Sequence, residues 1–119
     1  MVDNNSGTIP EMEKSKSQSI VKIIGYATDA IVSIPILKKV TGSITLMSFA
    51  PGKVLAAKTT PFDTFVQIID GAAEIIIAEK AHQLESGEGI LIPAHAAYCF
   101  NAKSKFKLIS TVIKSGYEE

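Results

Sequence analysis

Few side chains in this chain of 119 residues are equipped for chemistry. Cys99 is the only cysteine, His82 and His95 are the only histidines, and all 12 cationic side chains are lysines. A single thiol rules out an internal disulfide and a cysteine-rich zinc site. Without arginine there is no planar guanidinium fork to grip phosphate or carboxylate at two points. The lysines are balanced by 12 acidic residues, so no positive field draws in nucleic acid, and none is expected as a partner. His82 comes just after a chain return at Glu79-Lys80 and reads as a surface residue. His95 follows Pro93 in a loop and is the better placed of the two to line a pocket mouth. Cys99 has no histidine positioned to activate it and reads as a packing thiol. Lys103, Lys105 and Lys107 alternate, as on a solvated strand face protected against unwanted pairing.

The elements that must position these residues are strands. Isoleucine, 17 residues against 7 valines, dominates a hydrophobic content of 46%, and β-branched chains suit a pleated, buried surface. This length and composition fit one domain with its own core. Residues 1–18 are polar and without periodicity and read as a flexible lead-in; the domain is expected over 19–119. Residues 19–30 fit a short helix or an extended edge equally well. Ile31 to Lys39 is strand-like, with Pro35 confining it to an edge or a strand end. Thr41-Gly42 turns into a strand over Ser43 to Ala50, which Pro51-Gly52 ends. Phe65 to Ile69 and Ala73 to Ala78 flank Asp70-Gly71, the residue pair of a tight type I′ hairpin. A second return is expected at Glu79-Lys80, and another reversal around Gly87 to Gly89. Ile90 to Ile92, Tyr98 to Ala102 and Phe106 to Ile113 complete about nine short strands, the spacing of a sandwich or closed barrel. No apolar run approaches the roughly 20 residues that cross a bilayer, and no basic and apolar leader opens the chain, so a cytoplasmic protein without membrane contact is expected.

Two stretches, Gly52 to Gly71 and Gly87 to Asn101, have the spacing of the two motifs of a cupin. The first motif runs Gly, five residues, His, one residue, His, three or four residues, Glu, six residues, Gly. Counted from Gly52, its positions fall on Lys58, Thr60, Thr64 and Gly71. The second runs Gly, five residues, Pro, one residue, Gly, two residues, His, three residues, Asn, and falls on Gly87, Pro93, His95, Tyr98 and Ala102, with Asn101 one place early. The run Lys58-Thr59-Thr60-Pro61-Phe62-Asp63 resembles a group of small single-domain cupins in which histidine stands where Lys58 and Tyr98 stand here. The resemblance covers about residues 31–114. It implies an all-β fold, a single antiparallel β-barrel of the RmlC-like, double-stranded β-helix jelly-roll kind, and it implies a homodimer, which would also cover the edge of an apolar Ile31 to Ile36 strand.

The same register places Lys58, Thr60, Thr64, Val66 and Tyr98 around a pocket, with His95 at its mouth. A cupin metal needs neutral imidazoles and a carboxylate. An ammonium has no lone pair, hydroxyls are weak ligands and a phenol has a high pKa, so neither a metal nor another cofactor is expected. Lys58 beside Tyr98 could serve as an acid and base pair if burial lowered the lysine's pKa. A flexible lysine at the barrel mouth, paired with Asp63, is the simpler reading. Two functions remain: a metal-free cupin that binds a small polar molecule in its cavity, or an enzyme that uses Lys58 and Tyr98 or a metal recruited through a non-standard site at His95.

Overall fold

The structure, a computed structural model, describes residues 11–115. Helix α1 (Ile20–Ile23) is a single turn, and eight strands follow: β1 (Ile31–Lys39), β2 (Gly42–Phe49), β3 (Val54–Lys58), β4 (Thr64–Ile77), β5 (Lys80–Glu85), β6 (Gly89–Ile92), β7 (Tyr98–Asn101) and β8 (Phe106–Ile113). Every pairing is antiparallel; the path runs β1-β2-β8-β4-β7-β3, with β5 and β6 also paired to β4. The result is an all-β jelly roll, a curled antiparallel sheet folded around one core.

Strand β4 organises the roll, and it contradicts the expected hairpin at Asp70-Gly71. Those residues lie inside one continuous strand of 14 residues. Gly71 takes φ +77, and the register against β8 slips between Ile68 and Asp70, a bulge that bends the strand. Up to Gly71, β4 pairs with β8; from Ala72 onwards it pairs with β5, and from Glu74 with β7. The glycine therefore carries one strand from one half of the roll to the other. The true hairpin closes at Ala78-Glu79, one residue before the expected return. Both residues are left-handed, with φ 50 and 70, as a two-residue turn between Ile77 and Lys80 requires.

Gly87 to Gly89 does not reverse the chain either. Strands β5 and β6 both run antiparallel to β4, so residues 86–88 step sideways where β4 bends, and the amides of Gly87 and Ile68 bond to the carbonyls of Ile68 and Glu88 at 2.7 and 2.9 Å.

The interior is plugged by aromatic rings. Phe49 stacks on Phe106 at 4.4 Å and meets Phe100 edge-on at 5.8 Å, among Val66, Ile68, Ile75, Leu84, Ile92 and Leu108. The outer face of β2 and β8 is covered by the segment that sequence periodicity left ambiguous. Ile24 is fully buried, and the Ser48 hydroxyl donates to the Gly25 carbonyl at 2.9 Å. Tyr26 donates its hydroxyl to Asp70 at 2.7 Å. Burial first, then that hydrogen bond and the Asp70 charge, push the Tyr26 phenol well above its ordinary value.

This strap overturns the solvated-edge reading for Lys107. Its side chain is buried, donates to the Val21 carbonyl at 2.6 Å and lies 4.9 Å from the Tyr26 ring centre. Lys103 and Lys105 precede β8 in a loop and are exposed. Strand β1 is an edge, as Pro35 required, with a register slip between Pro35 and Leu37. Two bonds from the preceding chain cap it: Met12 donates to the Ile36 carbonyl at 3.1 Å, and the Glu11 carboxylate accepts from the Lys38 amide at 2.6 Å.

Candidate functional site

Strands β3 and β7 bring Lys58 and Tyr98 directly opposite each other. Tyr98 shares the inward face with Phe100, their ring centres 5.6 Å apart, while Cys99 takes the other face opposite Ile76. Burial raises the Tyr98 pKa, so at neutral pH the phenol is a neutral O–H donor. Lys58 is exposed at the end of β3, beyond a bulge that separates it from Leu55.

The loops on either side are stitched together. The Thr60 hydroxyl donates to the Phe62 carbonyl at 2.8 Å and accepts from the Phe62 amide at 3.1 Å, a turn that engages it locally. Asp63 accepts from the Ala94 amide at 2.8 Å, and the His95 amide donates to the Thr60 carbonyl at 2.7 Å. His95 has φ 71 and an exposed side chain. Val66 is fully buried in the core. Thr64 is the unusual member: it is 3% exposed and its hydroxyl has no hydrogen-bond partner. Its strand parity is that of Val66 and Ile68, so it faces the interior.

His82 departs from its surface reading. It pairs with buried Ile75, shares the parity of Leu84 and is half-buried. With Gln83, Glu88 and Ile90 it lines a cleft of about 560 Å³ where β5 and β6 part. The outer face of the same half carries a structural network. Partial burial of Glu74 is outweighed by donors from Gln83, Lys103 and Asn101, at 2.8, 3.4 and 3.0 Å, which hold its carboxyl below the usual range.

The inward face of β2 and β8 adds residues that sequence reasoning passed over. Ser43 lies opposite Val112, itself opposite Thr64; Thr45 lies opposite Ser110, itself opposite Val66. These hydroxyls occupy the end of the roll away from the aromatic plug. Their alternation with Ile44 and Leu46 was the available signal, but it points the wrong way, because Leu46 is buried under the strap outside the roll.

No family model matches the chain, and no curated protein does. Solved structures do. A conserved protein of unknown function from Streptococcus pyogenes superposes with a TM-score of 0.85 at 24% identity, covering 95% of this chain and 99% of that one. A cupin superfamily protein from Desulfitobacterium hafniense gives 0.81 at 20% identity, covering 89% and 97%. The fold is that of a cupin. A cupin 2 conserved barrel domain protein from Leptotrichia buccalis gives 0.77 at 25% identity over 80% of this chain and 46% of that one, so here the chain spans about half of the longer protein.

The metal chemistry of the cupin motifs does not fit these residues. The ligand positions hold an exposed ammonium, a hydroxyl engaged in a turn, a buried hydroxyl and a protonated phenol, none of which is a good ligand for a divalent transition metal. Among the described residues, no three of His, Cys, Asp and Glu lie close enough together to hold a metal ion.

Proposed function

We propose that this cupin binds a small polar molecule at the mouth of its roll, without a metal, with Tyr98, Thr64 and Lys58 as polar contacts beside Val66, and with Thr60 and His95 shaping the rim. The observation that carries this reading is Thr64, because a buried hydroxyl left without a partner is costly, and a polar guest would satisfy it. Tyr98 supplies a neutral donor on the inward face of β7, and Lys58, opposite it at the end of β3, a charge. The test is a thermal-shift and calorimetric screen of polar metabolites against the full chain. A hit should weaken at least tenfold in both Thr64→Val and Tyr98→Phe; unchanged affinity in both variants would reject the site.

The domain we assign to residues 19–119, preceded by a lead-in of which Glu11 and Met12 cap β1. We read the assembly as a homodimer. In support, Leu37, Ile44, Thr111, Phe65 and Leu91 form one cross-strand row on the outer face, with Phe65 43% and Leu91 61% exposed. Among the described residues no helix is long and apolar enough to cross a membrane.

A further inference from the structure

The edges of the roll are not protected alike. Folded proteins blunt a free edge with proline, a bulge or a covering segment. Strand β1 carries Pro35 and takes bonds from Met12 and Glu11, and β3 is interrupted by its bulge after Leu55. Strands β5 and β6 continue one another along the same side of β4, with Ala72 opposite Glu85 and Gln67 opposite Gly89, and together they form one long edge. In an antiparallel ladder the backbone groups of successive residues point alternately toward the partner and away from it. The two-residue turn at Ala78-Glu79 closes on a bonded pair, Ile77 with Lys80, so His82 and Leu84 also bond to β4, while Ala81, Gln83 and Glu85 point outward. Glu85 is satisfied within the bend: its amide donates to the Glu88 carboxylate at 2.8 Å, and its carbonyl accepts from the Glu88 amide at 2.9 Å. On β6 the bond from the Ile68 amide to the Glu88 carbonyl sets the phase, so Ile90 and Ile92 bond to β4, and Gly89 and Leu91 point outward. The amides and carbonyls of Ala81, Gln83, Gly89 and Leu91 therefore face out of the sheet, and nothing among the described residues pairs with them.

Along this edge runs the cleft of about 560 Å³ where β5 and β6 part. Leu84 and Ile90 give it apolar walls, and His82 adds a half-buried ring. The Gln83 side chain is drawn away onto the outer face by its bond to Glu74 at 2.8 Å, which leaves the Gln83 backbone open. A strand laid on the edge would thus find a seat for a side chain beside it. At the bend, Glu85 and Glu88 place two exposed carboxylates, of which only one oxygen of Glu88 is engaged. The other charges on this edge, Glu79 and Lys80, lie at the far end of β5 and are of opposite sign. The carboxylates at the bend decide the occupant. A second copy paired to this edge about a two-fold axis at the bend would bring its own Glu85 and Glu88 against these, and like charges opposite each other destabilise a strand pair. A peptide with lysine or arginine at that point is attracted instead.

We infer that the β5 and β6 edge is a docking site for an extended peptide of another protein, with a basic residue at the bend and an apolar side chain seated between Leu84 and Ile90. The peptide adds to the sheet as a further antiparallel strand. Its backbone pairs with Ala81, Gln83, Gly89 and Leu91, which supplies affinity, while the cleft and the two carboxylates select its side chains. This surface is separate from the mouth of the roll, so it does not depend on the small-molecule reading above.

The experiment is selection of random heptapeptides on phage against the immobilised full chain, followed by NMR titration of the isotope-labelled chain with the most enriched peptide. Enriched sequences are expected to set a lysine or arginine among β-branched or aromatic residues, and the titration to give saturable shifts at Ala81, Gln83, Gly89 and Leu91. N-methylation of alternate peptide amides then tests strand addition without touching the protein. One phase of methylation should weaken binding at least tenfold, and the other should leave it nearly unchanged. Ala81→Pro, which removes an outward N–H and no ladder bond, and Glu85→Lys should each weaken binding at least tenfold while their spectra elsewhere match the parent. No enriched sequence, enrichment without a basic residue, equal effects of the two methylation phases, or saturable shifts confined to Thr60 and Tyr98 at the mouth would overturn the proposal. Edge shifts produced by raising the concentration of the chain alone would overturn it too, because the edge would then belong to a second copy.

Discussion

Replacing Thr64 with valine is expected to make the protein more stable and less able to bind. Valine has nearly the shape of threonine, so the packing against Ile92 and Val112 is kept and only the hydroxyl is lost. That hydroxyl is buried at 3% exposure with no partner, and leaving such a group unpaired costs about 1–3 kcal/mol. Thr64→Val should therefore raise stability by about 1–2 kcal/mol, and for a domain of this size about 1 kcal/mol moves the midpoint by roughly 4 °C. Urea unfolding followed by circular dichroism should show a higher midpoint with an unchanged slope. The same variant should bind its polar ligand less tightly, the pattern of a site that holds an uncompensated group for function. A loss of more than about 1 kcal/mol would refute the reasoning, because the hydroxyl would then have a partner in the folded protein, such as a buried water.

Gly71→Ala should be severely destabilising, by about 2 kcal/mol or more. The position needs φ +77, and an added Cβ would run into the Lys105 carbonyl, just before the paired strand β8. A urea midpoint within error of the parent would show that β4 is not bent there. Tyr26→Phe should cost about 1 kcal/mol at pH 7 by removing the bond to Asp70. The raised pKa of Tyr26 means that its contribution is fully present below about pH 10, the unfolded phenol value, and is lost as pH rises above it. The parent should thus lose stability above pH 10 more steeply than the variant, and parallel pH profiles would contradict this. Sedimentation or light scattering at micromolar concentration should give a dimer mass, and Phe65→Glu with Leu91→Glu should give the monomer; a monomeric parent would remove the apolar row as an interface.

The sequence and the structure agree best where backbone chemistry decides. Gly52 and Gly87 sit at φ +86 and +92, and Pro35 lies on an edge, because few other residues serve there. Asp70-Gly71 misled because a left-handed glycine suits both a hairpin and a bulge, and only the pairing of β4 with two sets of partners tells them apart. Hairpin formation fell instead to Ala78-Glu79, which carry no turn signal. Lys107 and the hydroxyl row were illegible for one shared reason. The strap of residues 19–30 buries the outer face of β2 and β8 around Leu46, Ser48 and Lys107, so alternation along those strands no longer separates inside from outside. The cupin spacing put Lys58 and Tyr98 around one pocket; the register sets them opposite each other on β3 and β7, yet no residue pattern could foretell that Thr60 would be engaged in a turn with Phe62 while Thr64 was left unbonded.

The central proposal, a cupin fold that binds its ligand without a metal, is tested most directly by elemental analysis of the full chain purified without chelators. Far less than one equivalent of iron, manganese, nickel, copper or zinc per chain is expected, since an ammonium, two hydroxyls and a protonated phenol stand at the ligand positions. One equivalent of a transition metal that survives gel filtration and is lost in the Tyr98→Phe or His95→Ala variant would contradict it.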